Sequence, residues 1–134
     1  MAIDGSEEVA LLISPRGDRD RKLIQTALTR VGFTVMLSES GTESLQEVSR
    51  VAGDLGLVVA DPATPGLNFD QLLKTLDELA SPARVLCLCE EHEAPHPFSG
   101  HAERFGGHLS RPFRRAQLLA SILDASERPL ARSA

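Results

Sequence analysis

Apolar residues run along this chain in two rhythms. Val9-Ala-Leu-Leu-Ile13, Leu55-Gly-Leu-Val-Val-Ala60 and Arg84-Val-Leu-Cys-Leu-Cys89 are nearly unbroken apolar runs of strand length. Strands of that kind are buried on both faces. Phe33-Thr-Val-Met-Leu37 reads as a further strand, and Gly107-His-Leu-Ser110 as a short fifth. Between the strands, apolar residues recur at helical spacing. Leu23, Ile24, Ala27, Leu28 and Val31 mark one face of a helix over 19–31, and Gly32 suits its left-handed end. Ser40-Gly-Thr-Glu43 carries capping chemistry and opens a helix buried through Leu45, Val48 and Ala52. A third helix starts at Asn68 or Asp70, carries Leu72, Leu73, Leu76 and Leu79, and stops at Ser81-Pro82. A last helix over 112–125 carries Phe113, Leu118, Leu119, Ile122 and Leu123. Pro95, Pro97 and Gly100 interrupt the segment where a fourth helix is due, so a loop with at most a short helix is expected there.

Buried strands alternating with amphipathic helices predict an α/β domain with a parallel sheet between helix layers. Five units in this length fit a flavodoxin-like, doubly wound, five-stranded sheet of order 2-1-3-4-5, with helices on both faces and the fourth helix short or disrupted. One domain over 8–126 is expected, with flexible ends at 1–7 and 127–134. The working crevice of such a sheet lies beyond the carboxyl ends of its strands. That places Ser14 to Asp18, Asp61, Cys89 to Glu91 and Ser110 to Pro112 at the candidate site.

Composition narrows the function. The 134 residues, 42% hydrophobic and 25% charged, have the make-up of a globular domain. Fourteen Lys and Arg against nineteen Asp and Glu leave a net charge of -5, which argues against nucleic-acid binding through bulk positive charge. Five Phe, no Trp and no Tyr provide no stacking platform for single strands. No apolar run is long enough to span a membrane, and the acidic start, Met1 to Glu8, has no apolar signal core. Two cysteines one residue apart make no disulfide scaffold, so a cytoplasmic location is expected.

Asp61 follows Leu57-Val-Val-Ala60 directly, at the rim of the crevice. A capping or loop Asp is the plainer reading of that position, and its context favours a functional one. Asp61-Pro-Ala-Thr-Pro65-Gly66 resembles the Asp-x-x-x-Pro-Gly of bacterial two-component receiver domains. Ser110-Arg111-Pro112-Phe113, preceded by Gly106-Gly107-His108-Leu109, resembles their Lys-Pro-Phe. Gly32-Phe33-x-Val35 and Ser38-Glu39-Ser40-Gly41 are similar to the family pattern around the second strand. Each motif is weak alone; in order, over residues 8–125, they are fairly specific. The resemblance implies that Asp61 stands where the family accepts a phosphoryl group from a histidine kinase. That chemistry needs a carboxylate nucleophile and a divalent cation. The family supplies an acidic pair after strand one, a Ser or Thr after strand four and a Lys after strand five.

The chain departs from that pattern. Pro15 and Arg16 stand at the acidic pair, and a slip of one residue, to Ser14 and Pro15, gains no carboxylate. Asp18 and Asp20 are expected in the first helical turn, where they favour the helix dipole. Cys89 holds the Ser/Thr place, Arg111 the Lys place, and His108 the aromatic switch place. Asn68 stands one residue short of the usual Asp-Gly. Asp61 is expected to face Arg111, with Arg16 as a second cation, which makes magnesium binding unfavourable. The expectation is a pseudo-receiver with a degenerate pocket (Pro15, Arg16, Cys89, Arg111) around Asp61, without metal or cofactor. The alternative is a single-domain response regulator phosphorylated on Asp61 with Mg2+.

Other chemistry ranks lower. Cys87 and Cys89 read better as small buried hydrophobes than as a redox pair. His92, His96, His101 and His108, with Glu90, Glu91 and Glu93, read better as a polar loop than as a metal site, because Pro95 breaks the helical spacing. Ser14-Pro-Arg-Gly-Asp18 lacks the glycine spacing and lysine of a phosphate loop. Arg16, Arg19, Arg21 and Lys22, like Arg111, Arg114 and Arg115, read first as solvated faces and second as docking surfaces. No base–nucleophile pair supports an enzyme. A non-enzymatic module is expected, binding signalling proteins such as a histidine kinase or a downstream effector through residues 90–123, with a homodimer as a further candidate and neither nucleic acid nor membrane as a partner. An unperturbed His titrates near 6.5, so His108 is a candidate pH sensor or simply an exposed strand-end residue.

Overall fold

Five parallel strands in the order β2-β1-β3-β4-β5 form the sheet of the protein. The structure, a computed structural model, describes residues 8–90 and 104–126. The elements are β1 (Val9–Ile13), α1 (Arg21–Val31), β2 (Thr34–Ser38), α2 (Gly41–Val51), β3 (Leu55–Ala60), α3 (Phe69–Glu78), β4 (Arg84–Cys89), β5 (Phe105–Ser110) and α4 (Arg115–Ser126). The expected order and the helices on both faces are observed. The two chain ends, the proline-broken segment where a short fourth helix was expected, and His92, His96 and His101 lie outside the described residues.

Alternation along the buried strands divides the core. Ala10, Leu12, Leu57, Val59, Leu86 and Leu88 pack under α1 and α4 with Ile24, Leu28, Leu118 and Ile122. Leu11, Ile13, Val58, Ala60, Val85 and Cys87 pack under α2 and α3 with Val48, Leu72 and Leu76. Each fully buried Leu or Ile removes enough apolar surface to contribute about 1.5–3 kcal/mol. Unbroken apolar strands between two amphipathic layers therefore have one stable arrangement.

Local chemistry sets the helix ends. Gly32 adopts φ +117° and closes α1 with its N–H directed to Leu28 and Thr29 carbonyls. The Ser40 hydroxyl accepts from the Glu43 N–H at 3.1 Å, while the Glu43 carboxylate accepts from the Glu39 N–H at 2.7 Å. Asn68, not Asp70, caps α3, its side chain accepting from the Gln71 N–H at 3.0 Å. Gly41 answers to a close approach. Its N–H donates to the Pro65 carbonyl at 2.8 Å, and a Cβ there would lie 1.9 Å from the Gly66 oxygen. The start of α2 is thereby locked onto the loop that follows Asp61.

β5 starts earlier than expected and carries a bulge. Val85 pairs with Phe105 and Leu86 with Gly107, so Gly106 is the extra residue and Gly107 takes φ +127°. The bulge brings Phe105 and His108 to the same side, their rings stacked at 6.0 Å. Just before β5, Arg104 is buried. It donates to Asp77 Oδ1 at 2.5 Å, to the Ala83 carbonyl at 2.7 Å and to the Leu76 carbonyl at 3.2 Å. This clasp joins the start of β5 to the end of α3.

Candidate functional site

The carboxyl ends of β1, β3, β4 and β5 open onto a cleft of about 320 Å³ lined by Pro15, Arg16, Asp18, Asp61, Glu90 and Arg111, among others. Asp61 is held there by its backbone. Its N–H donates to the Ile13 carbonyl at 2.9 Å, and its own carbonyl accepts from the Thr64 N–H at 3.0 Å. The Asp61 Oδ1 accepts from the Ala63 N–H at 2.9 Å, and Oδ2 accepts from Arg111 Nη2 at 2.9 Å. Both carboxylate oxygens are thus engaged.

Arg111 is the hub. Its backbone N–H donates to the Cys89 carbonyl at 2.8 Å, which fixes where the side chain leaves β5. Nη2 also reaches Asp18 Oδ2 at 3.3 Å, Nη1 donates to Asp20 Oδ2, and Nε lies 3.2 Å from Glu90 Oε2. The guanidinium stands 6.0 Å above the Phe113 ring. The Arg111 side chain is 13% exposed, Asp61 12% and Asp18 7%. Burial alone would lower the Arg111 pKa. The Asp18 and Asp61 charges, the Asp18 hydrogen bond and the Asp20 charge outweigh it, and the net shift is upward.

Asp18 and Asp20 overturn one expectation. They do not sit in the first helical turn, because α1 begins only at Arg21. Asp18 ends a tight turn closed by its N–H on the Pro15 carbonyl at 3.1 Å, with Gly17 at φ +82°. That is the glycine position of a type II turn. Asp20 is the cap residue, yet its side chain makes no cap hydrogen bond and serves Arg111 instead. The turn thus carries Asp18 back into the cleft, and Asp20, just beyond it, joins it on Arg111.

Arg16 overturns a second expectation. It does not pair with Asp61: its side chain is 90% exposed and approaches Glu39 at 3.8 Å. The charge count changes with it. Asp18, Asp20 and Asp61 face one part-buried guanidinium, with the exposed Glu90 beside it.

Cys89 ends β4 but does not line the cleft. Its thiol is turned toward β5, 3.7 Å from the Leu109 carbonyl and 3.4 Å from the Ser110 hydroxyl. Cys87 and Cys89 are both buried and free. His108 is exposed on the edge strand, away from the Arg111 cluster.

Sequence reasoning missed a second organiser. Arg21, read as part of a solvated face, donates to the Ser14 hydroxyl at 3.2 Å, the Pro15 carbonyl at 2.7 Å and Glu39 Oε2 at 2.8 Å. It ties the loop after β1 to the loop after β2. Nothing in its local sequence distinguishes it from Arg19 or Lys22.

Known proteins share parts of this sequence and its fold. No protein-family model matches the chain. It is 27% identical over 119 residues to the uncharacterized transcriptional regulatory protein YkoG of Bacillus subtilis, covering 89% of this chain and 51% of that protein. It is 25% identical over 127 residues to the sensor kinase CckA of Brucella abortus, covering 95% of this chain and 13% of that kinase. The chain thus spans about half of the first relative and a small part of the second. Solved structures with the same fold include a response regulator receiver domain from Clostridium thermocellum (TM-score 0.71, 19% identity, 90% of this chain and 95% of that one). A putative response regulator from Chloroflexus aurantiacus (TM-score 0.71, 21% identity, 91% and 100%) is equally similar. The receiver domain of the hybrid histidine kinase CckA also matches (TM-score 0.67, 20% identity, 87% and 98%). The fold of this chain is that of receiver domains.

Proposed function

We propose that this chain is a receiver-type signalling module that works by binding other proteins and not by efficient phosphoryl transfer at Asp61. One observation carries the reading: the Arg111 guanidinium is hydrogen-bonded to Asp18, Asp20 and Asp61 together, while the other Asp61 oxygen is taken by a backbone N–H. A divalent cation at this place would need those same oxygens. A cation already seated among them repels it by kilocalories at moderate dielectric. The donor set therefore fits a guanidinium better than magnesium. Asp61 acts here as a structural ion-pair partner. Docking falls to the surface around β5 and α4, within the expected 90–123 region, and the partners are signalling proteins such as a histidine kinase or an effector. The module is not an enzyme.

A second reading has its own support. Asp18 and Asp61 line an open cleft and Asp20 joins them on Arg111, the same number of carboxylates that the family arrangement brings to its lysine. If Arg111 swings out, Asp61 becomes a phosphoacceptor with a displaced acidic pair. Intact-mass analysis after incubation with acetyl phosphate and Mg2+ separates the two. No adduct on the wild-type chain is expected. A magnesium-dependent phosphoryl adduct, lost in Asp61→Ala, overturns the proposal in favour of the phosphorylatable regulator.

A further inference from the structure

The two edges of the sheet differ. At β5 the bulge at Gly106 and the left-handed Gly107 break the strand, a device that blunts an edge. β2, the other edge, lacks such protection. Thr34-Val-Met-Leu-Ser38 holds no charge and no proline, and it pairs with β1 in unbroken register. The Thr34 N–H donates to the Glu8 carbonyl at 3.0 Å, and the Ser38 carbonyl accepts from the Ser14 N–H at 3.1 Å. Alternation therefore turns Thr34, Met36 and Ser38 toward β1, and it turns the N–H and C=O of Val35 and Leu37 outward. Among the described residues nothing bonds those outward groups. The N–H groups of Phe33 and Glu39, on either side, are taken by the Leu28 carbonyl and the Glu43 carboxylate. Leu37 is 37% exposed, a large apolar side chain on this edge.

We infer that two copies of this chain join along β2, antiparallel about a two-fold axis at Met36, into one continuous sheet. In that register Val35 of each copy stands opposite Leu37 of the other, and the two residues exchange both backbone hydrogen bonds. Val35 and Leu37 project on the α1 face, so their side chains form apolar cross-strand pairs that cover Leu37. Met36 projects on the α2 face and meets its own copy in a non-hydrogen-bonded pair. The helix beside the edge agrees with this register. The Ser44 hydroxyl bonds the Ser38 hydroxyl at 2.8 Å, which sets α2 next to β2. The axis reverses α2 against its copy, so the acidic first turn at Glu43 faces the basic last turn at Arg50. On the other face, Arg21 reaches Glu39 beyond β2, and the flank of α1 that continues from it carries the uncharged Gln25 and Thr29. A second copy is therefore the occupant that satisfies backbone, side chains and helix charges together. Pairing β2 with β5 of another copy would run head to tail without closing, against a blunted edge. Two strand edges and their helix flanks make a small contact, so association is reversible and rises with concentration. The inference rests on neither reading of Asp61, and it leaves the β5 and α4 surface open to other partners.

The test is site-directed cross-linking. Residues in a non-hydrogen-bonded antiparallel pair have Cα atoms about 4.5 Å apart, within reach of a disulfide. Met36→Cys is expected to give a disulfide-linked dimer under mild oxidation. Thr34→Cys is expected to give none, because the two-fold offsets its two copies by roughly 13 Å along the strands. The native Cys87 and Cys89 are buried, so the unsubstituted chain is the control. Sedimentation equilibrium reads the same contact without an added cysteine. The wild-type dimer is expected to grow with concentration, and Leu37→Lys to weaken it roughly tenfold or more. Leu37 is exposed, so that substitution leaves the core intact. A wild-type chain that stays monomeric overturns the inference. So does a cross-link as strong from Thr34→Cys as from Met36→Cys, or a dimer indifferent to Leu37→Lys.

Discussion

Arg111 reaches Asp61 across the end of an intervening strand. β4 separates β5 from β3, yet Arg111 Nη2 lies 2.9 Å from Asp61 Oδ2. The contact is open because the Cys89 thiol at the end of β4 is turned to β5 instead of into the cleft. Removing the guanidinium leaves Asp18 and Asp61 facing one another without their cation, in a cleft that water can enter. Arg111→Ala should therefore lose roughly 1–3 kcal/mol in urea unfolding. Asp61→Asn keeps an acceptor for Arg111 and should lose less, with partner binding unchanged. Equal losses in the two variants would show that Arg111 is not the hub.

Arg111→Lys tests whether the guanidinium occupies the cation's place. A single ammonium cannot hold three carboxylates in the way the planar fork does. Magnesium should leave the melting temperature of the wild-type chain unmoved and raise that of Arg111→Lys by mass action on the folded state. A variant as indifferent to magnesium as the wild type would remove the argument for displacement.

The raised Arg111 pKa has a pH signature. A cation whose folded pKa exceeds its unfolded value stabilises the fold fully below the unfolded value, and that contribution is lost only as pH rises through the folded one. For arginine this lies above the working range. Urea midpoints of the wild-type chain should show no Arg111 step on the alkaline side. Arg111→Lys should show one starting near the ordinary lysine value of about 10.4.

Arg104 makes the same kind of statement at the other end of the sheet. Arg104→Met keeps the buried stem but strips donors from the Leu76 and Ala83 carbonyls and from Asp77. Asp77 is partly exposed and can hydrate. A loss of roughly 2–3 kcal/mol is expected. Hydrogen exchange should rise first at the end of α3, and exchange spread evenly over the chain would contradict a local clasp.

Gly41→Ala forces a Cβ into the Gly66 backbone, which no side-chain rotation relieves. A loss of about 1–3 kcal/mol is expected. Exchange in the loop from Pro62 to Leu67 should rise with it. A neutral substitution would mean that the loop moves freely against α2.

Much of the frame was legible before any coordinates. Short, β-branched apolar runs such as Leu57-Val-Val-Ala60 suit two-sided strands, and Leu23 to Val31 place their apolar residues on one helical stripe. Burial and periodicity are local, so they specify the elements; the sheet order, and with it the placing of Asp61 and Arg111 at one end of the sheet, came from the fit of five such units to a doubly wound fold. The bulge at Gly106 and the clasp of Arg104 were not legible. A bulge depends on register against β4, and Arg104 looks like any surface arginine until Asp77 is brought beside it.

The site divides along the same line. The chain's own order of residues established which groups stand after each strand: Pro15 and Arg16, Asp61, Cys89 and Arg111. Counting positions could not show which way those side chains turn. Tertiary structure decided that the Pro15–Asp18 turn swings Asp18 inward, that Arg16 faces solvent while Arg21 binds the loops, and that Arg111 gathers Asp18, Asp20 and Asp61. The reason is physical. Strand and helix patterns follow from hydrophobic spacing along the chain, whereas an ion-pair cluster follows from the direction of side chains brought together from positions as far apart as 18 and 111, which spacing does not encode.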